Sequence, residues 1–156
     1  MSELTIRVDD PARPELVKLL SDHIGEMRSV SPPESTHTLD IEQLKTPDIT
    51  LWSGSINDQV VGCAAIKELA PRHGEIKSMR TLPEFRGQGI ARKLLNHLIR
   101  VAHERDYERL SLETGSMAFF NPAQQLYGSA GFEICEPFAN YLPDPNSIFM
   151  TKKLMG

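Results

Sequence analysis

Arg86-Gly87-Gln88-Gly89-Ile90-Ala91 joins an apolar, strand-like run to the best amphipathic helix in the chain. Two glycines and a small alanine at such a junction let a backbone come very close to a ligand. At a helix start that ligand is usually an anion, because the first amides lack intrahelical partners and the helix dipole adds partial positive charge. The chemistry indicated is the holding of a phosphate-bearing molecule. Two familiar glycine patterns do not fit. A Walker loop needs Lys and then Ser or Thr after its last glycine, where Ile90 and Ala91 stand. A dinucleotide fingerprint needs a third glycine where Arg92 stands and a strand directly before the loop, but Pro83-Glu84-Phe85 intervenes. A bare structural turn explains one glycine, not two spaced around Gln88 with Arg86 in front.

The elements that must position this stretch follow from periodicity and breakers. Alternation predicts strands at Leu4 to Val8, Ile49 to Ser55, Gln59 to Leu69, Glu75 to Leu82, Leu110 to Glu113, Phe132 to Cys135 and Ile148 to Leu154. Asn57-Asp58 turns a hairpin between the second and third of these. Helical spacing predicts helices from Glu15 to about Met27, from about Asp40 to Lys45, from Ile90 to about Arg105 and from Pro122 to Ala130. Pro14 and Pro122 suit first helical turns, Pro47 stops the second helix, and Gly131 ends the last. Ser31-Pro32-Pro33-Glu34-Ser35 is a loop. In the long helix Ile90, Ala91, Leu94, Leu95, Leu98, Ile99 and Ala102 share one face, which belongs on a sheet.

The chain has 156 residues, ordinary composition and a formal net charge of -4. One domain spanning 1–156 is expected, with no repeat, low-complexity tract or linker to divide it. The acidity argues against nucleic-acid or anionic-membrane partners. No apolar run approaches membrane-spanning length and the N-terminus lacks signal-peptide regions, so a cytoplasmic location is expected. Cys63 and Cys135 stand apart without a C-x-x-C or a neighbouring histidine, and read as buried free thiols. His23, His97 and His103 lie on helices without ligand spacing, so no metal is expected.

The segment Met79 to Arg92 resembles the acetyl-CoA motif of the GNAT superfamily, the Gcn5-related N-acetyltransferases, R/Q-x-x-G-x-G/A after an x-x-P turn. Arg86, Gly89 and Ala91 fill its defining places. A second stretch, Asn121-Pro122-Ala123-Gln124-Gln125-Leu126-Tyr127 to Gly131-Phe132, resembles N-x-x-A-x-x-L-Y-x-x-x-G-F of the same family. The resemblance spans nearly the whole chain. It implies an α/β (α+β) GNAT fold: a mixed sheet of about six to seven strands, splayed at the cofactor strand and flanked by about four helices. It also implies that amides of Gly87, Gln88, Gly89, Ile90, Ala91 and Arg92 bind the CoA pyrophosphate. Met79, Arg80 and Thr81 would pair their backbone with the pantetheine arm beside a bulge, and an N–H near Thr81 would polarise the thioester. Asn121 would hydrogen-bond the arm, and Tyr127 would protonate the leaving thiolate.

An amine acceptor must lose a proton before it attacks. Glu75 and Glu113 flank the presumed wedge and are the candidate bases, although each could equally be a strand carboxylate paired with a neighbour such as Lys77. The fold implies an acceptor site built from the loop Ser31 to Leu39, the early helices and the loop Pro137 to Asn146. It would include His37, Glu113 and Tyr141. Arg80 either meets an acceptor carboxylate or sits on a solvated strand face. The expected activity is acetyl-CoA-dependent transfer to a primary amine of a small molecule, in a ternary complex without a covalent enzyme intermediate. The alternatives are a protein or peptide acceptor and a non-catalytic CoA-binding regulatory domain. Homodimers are common in the family, but no strand or helix here commits to one.

Overall fold

The computed structural model describes residues 3–30 and 41–154, with the backbone alone at 24, 27, 28 and 30. Seven strands form one sheet: β1 (Thr5–Val8), β2 (Ile49–Ile56), β3 (Gln59–Ala70), β4 (His73–Thr81), β5 (Arg109–Gly115), β6 (Glu133–Cys135) and β7 (Ser147–Lys153). Their order is β1-β2-β3-β4-β5-β7-β6, and every pair is antiparallel except β4 with β5. The mixed α/β sheet is the one expected. Asn57 and Asp58, both with positive φ, make the tight turn of the β2–β3 hairpin.

Three α-helices accompany the sheet among the described residues: α1 (Pro14–Val30), α2 (Ile90–Glu104) and α3 (Asn121–Ser129). The short helix expected near 40–45 is a single 3-10 turn, Gln43–Lys45. Thr46, preceding Pro47, is extended, which leaves too few residues for an α-helical turn. The predicted loop 31–39 lies outside the described residues.

The two faces of the sheet bury different helices. Leu94, Leu95, Leu98 and Ala102 of α2 pack on Val61, Ala64, Ile66, Ile76 and Leu112. Leu16, Leu19 and Leu20 of α1 pack on Leu51, Val60, Cys63 and Ala65. Spacings of three and four residues put each apolar stripe on one helix face, and alternation along β3 supplies both partners.

Two irregularities in β4 shape the site. Its ladder with β5 holds only from His73 to Glu75 against Arg109 to Ser111, and beyond that point the strands part. Against β3, the register shifts between Cys63 and Ala65, which leaves Ser78 and Met79 opposite Ala64. Ser78 takes a φ of 53° there, in the left-handed region. This bulge resets the two-residue alternation. Ile76 and Met79 face the α2 side, whereas Arg80, opposite Cys63, joins Glu75 and Lys77 on the α1 side. The Cys63 thiol donates to the Ser78 carbonyl at 3.3 Å and pins the bulge.

Candidate active site

A cleft of about 460 Å³ opens where β4 and β5 part. The start of α2, the walls of β4 and β5, one side of α3 and the end of α1 enclose it. At its mouth Gly87 and Gly89 have φ of 80° and 81°. A Cβ at either would meet nothing within 4 Å among the described residues, which leaves space beside them for a ligand. Gly89 caps α2 without a side-chain hydrogen bond, and its carbonyl already accepts from the Lys93 amide at 3.1 Å. The amides of the first turn therefore face outward without intrahelical acceptors. Below this loop the β5-facing edge of β4 runs past Glu75 with no ladder partner in β5.

These features suit a pyrophosphate followed by an extended arm with amide groups of its own. Gly89→Ala is expected to raise the KM for such a ligand about five- to thirtyfold. The open space forgives the methyl, but an L residue in the left-handed region costs roughly 1–2 kcal/mol. Initial rates at varied cofactor concentration would read the change, and an unaltered KM would show that the loop does not hold the ligand in this conformation.

Tyr127 lines the cleft from α3 and is 8% exposed. Its hydroxyl lies 3.9 Å from the Met79 sulfur beside the bulge, and Phe132 packs edge-on to its ring. Burial pushes its pKa up to about 12, which keeps the phenol protonated.

On the opposite face of β4, Glu75 is 2% exposed. Its Oε2 accepts from the Tyr141 hydroxyl at 2.6 Å and from Lys77 Nζ at 3.2 Å. Lys77 also donates to the Tyr141 oxygen at 2.7 Å. Phe138 and Phe149 pack against the Tyr141 ring. Burial, then the Glu75 carboxylate and Glu113, raise the Tyr141 pKa and hold it protonated. Glu113 lines the cleft on β5 and accepts from Ser147 Oγ at 2.8 Å.

Nearer the mouth, Arg80 is buried and donates from Nη1 to Glu26 Oε1 at 2.9 Å. Arg86 Nη2 reaches the same oxygen at 3.1 Å. His23 lines this wall too, and burial followed by the Arg80 charge lowers its pKa to about 4. A histidine held neutral in this way contributes stability that is complete above its unfolded pKa of 6.5 and is lost as the pH falls toward about 4. His23→Gln is expected to make the fall in Tm between about pH 7 and about pH 5 shallower. Equal slopes for the two proteins would remove His23 as a source of acid sensitivity.

A profile for the acetyltransferase (GNAT) family matches residues 16–132. The chain belongs to the acetyltransferase (GNAT) family. The uncharacterized N-acetyltransferase YsnE of Bacillus subtilis is 54% identical over 149 residues, covering 96% of this chain and 99% of that protein. A Klebsiella pneumoniae crystal structure, assigned provisionally as an acyl-CoA N-acyltransferase, has a TM-score of 0.79 at 29% identity, covering 97% and 98% of the two chains. A GNAT acetyltransferase from Elizabethkingia anophelis, crystallised with acetyl-CoA bound, shares the fold with a TM-score of 0.69 at 20% identity over 97% and 98%.

Within this GNAT chain the structure gathers some expected site residues and leaves others apart. Met79, Arg80, Thr81, Arg86, Gly87, Gly89, Ile90, Ala91 and Tyr127 line one cleft with Glu75 and Glu113. Tyr141 joins through its bond to Glu75. Gln88 and Asn121 are exposed and lie outside the lining, and Arg92 turns to Ser129 Oγ at 2.9 Å. His37 lies outside the described residues. Cys63 is buried with its pKa raised by burial to about 12, whereas Cys135 is only half-buried, since the short β6 leaves it near the sheet edge. Among the described residues no helix is long and apolar enough to cross a membrane, and no three His, Cys, Asp or Glu side chains converge as a metal would require.

His23 and Glu26 were not anticipated at the site. They continue the 16-19-20 stripe of α1 at positions seven and ten residues on, so a polar pair lies where the core face of the helix overhangs the cleft. Two polar residues in phase with a buried stripe are the signal that could have identified them.

Proposed function

We propose that this GNAT protein transfers the acetyl group of acetyl-CoA to a primary amine of a small molecule, by direct attack within a ternary complex. The observation that carries this is the arrangement of an acid and a base on the two faces of β4. A buried, protonated Tyr127 lies on the α2 side of the bulge, and the buried Glu75 carboxylate lies on the α1 side, with the parted strands between them. The name of YsnE and the acetyl-CoA in the Elizabethkingia structure support the choice of cofactor. A cleft of about 460 Å³ is in the range of small-molecule sites.

In this reading the pyrophosphate sits on the amides of Gly87 to Arg92. The pantetheine arm follows the unpaired edge of β4 from Thr81 to the bulge, where a backbone N–H faces the thioester carbonyl. The amine enters from the α1 side, and Glu75 accepts its proton, directly or through water. Nitrogen bonds to the carbonyl carbon, the C–S bond breaks, and Tyr127 donates its proton to the departing thiolate; the second proton released by nitrogen as the amide forms returns the phenolate to phenol through water. The products are the acetylated amine and CoA thiol. A thiol-release assay across a broad panel of small amines tests the proposal. Amine-dependent CoA release with the matching acetylated product supports it. Tight acetyl-CoA binding with no release over the panel would leave a CoA-binding domain instead.

A further inference from the structure

We infer that the α1-facing wall of the cleft is an anion subsite, and that the acceptor is a compact amine bearing a carboxylate. The inference rests on the acetyltransferase reading and names its substrate class.

The charges on this wall are matched in number but unevenly placed, with Glu113 and the Glu75–Lys77 pair toward one end and both guanidinium groups at the other. Lys77 and Glu75 are paired with each other. Arg80 and Arg86 share a single oxygen of Glu26, so two guanidinium groups face one carboxylate. His23 supplies no further charge and leaves its buried Nδ1 without a hydrogen-bond partner among the described residues. Arg80 is 7% exposed, and its Nε likewise has no partner among the described residues. A buried guanidinium with donors unsatisfied is costly unless an anion completes it. The cleft wall is where one can arrive.

Geometry separates this anion from the cofactor phosphates. The glycine loop and the first turn of α2 serve the pyrophosphate, whereas Arg80 points to the α1 side, opposite Cys63 and against Glu26. The bulge also puts Arg80 on the same face as Glu75, three residues of tight strand away from the end where Lys77 and Tyr141 hold the carboxylate. A ligand gripped by its carboxylate at Arg80 therefore lies along the face from which the amine is to be deprotonated. The planar fork of Arg80 matches a carboxylate in a way that a point charge would not.

The test uses glycine, leucine, methionine and phenylalanine with their four primary amides. Each pair is titrated calorimetrically into the CoA-bound protein and assayed for acetyl transfer. For at least one pair the wild type is expected to favour the acid over the amide by tenfold or more in both Kd and kcat/KM, the size of a charge-assisted hydrogen bond. Arg80→Gln should bring that ratio to within about threefold of unity, chiefly through KM, and Arg80→Lys should fall between. A wild-type protein that binds no acid more tightly than its amide overturns the subsite, whatever the variants do. So does an Arg80→Gln protein that loses acetyl-CoA affinity while keeping the ratio, since that assigns Arg80 to the cofactor. Because binding is read apart from turnover, the two proposals can fail separately. Preferential acid binding without any transfer refutes the acetyltransferase reading alone, and transfer to amides with no acid preference refutes the subsite alone.

Discussion

Tyr127→Phe is expected to lower kcat about 10²–10³-fold while leaving the KM for acetyl-CoA within about threefold of wild type. The variant keeps the ring that packs against Phe132 and loses only the hydroxyl, whose one hydrogen-bond contact among the described residues is the Met79 sulfur at 3.9 Å. A sulfur contact of that length contributes little to stability, so the fold should survive. On the proposed mechanism, what disappears is the proton for the leaving thiolate. A loss of 10²–10³ in rate corresponds to about 3–4 kcal/mol of transition-state stabilisation, the scale of a positioned general acid. The wild-type pH profile bears on the same point. Because burial raises this phenol to about 12, the acid remains protonated through alkaline assay conditions, and no decline from its ionisation should appear below that range. Single-turnover kinetics make the measurement decisive. If the chemical step in Tyr127→Phe keeps the wild-type rate, the tyrosine is a packing residue and the thiolate leaves without it.

Glu75→Gln should reduce kcat/KM by about 10²-fold, with the loss in the chemical step. The substitution is nearly isosteric, and its amide oxygen can still accept from the Tyr141 hydroxyl and Lys77, which hold the native carboxylate at 2.6 Å and 3.2 Å. Single-turnover rates at saturating amine and acetyl-CoA check it. A variant that keeps the wild-type rate would exclude Glu75 and direct attention to water or to Glu113, which flanks the same cleft.

The sheet, its order of elements and the glycine loop were legible because each rests on local rules. Alternation marked β3, helical spacing marked α2, and Gly87 and Gly89 occupy the left-handed conformations that their type permits. Tyr127 was legible through its motif. Tyr141 was anticipated at the acceptor site, but its bond to Glu75 joins residues 66 apart, and no local pattern links them. The same holds for Arg80 and Glu26, 54 residues apart. Glu75 and Arg80 each carried two readings, a cleft residue or a surface charge on a strand, because periodicity alone does not place at Ser78 the bulge that the family resemblance implied. A bulge there depends on β3 and on the Cys63 thiol, neither of which shows in the strand's own residues.

That extra residue at Ser78 has an evolutionary consequence. It splices two short strands half a period out of phase, so the even and odd positions of β4 exchange sides at the splice. The backbone edge past the bulge can follow the cofactor whatever its side chains are. The side chains of Arg80, and of Glu75 and Lys77 before the splice, can then change to suit a new acceptor without disturbing that edge. Removing the extra residue would keep Arg80 opposite Cys63 and on the same face as Glu75 and Lys77, yet it would restore a regular ladder and take away the irregular edge.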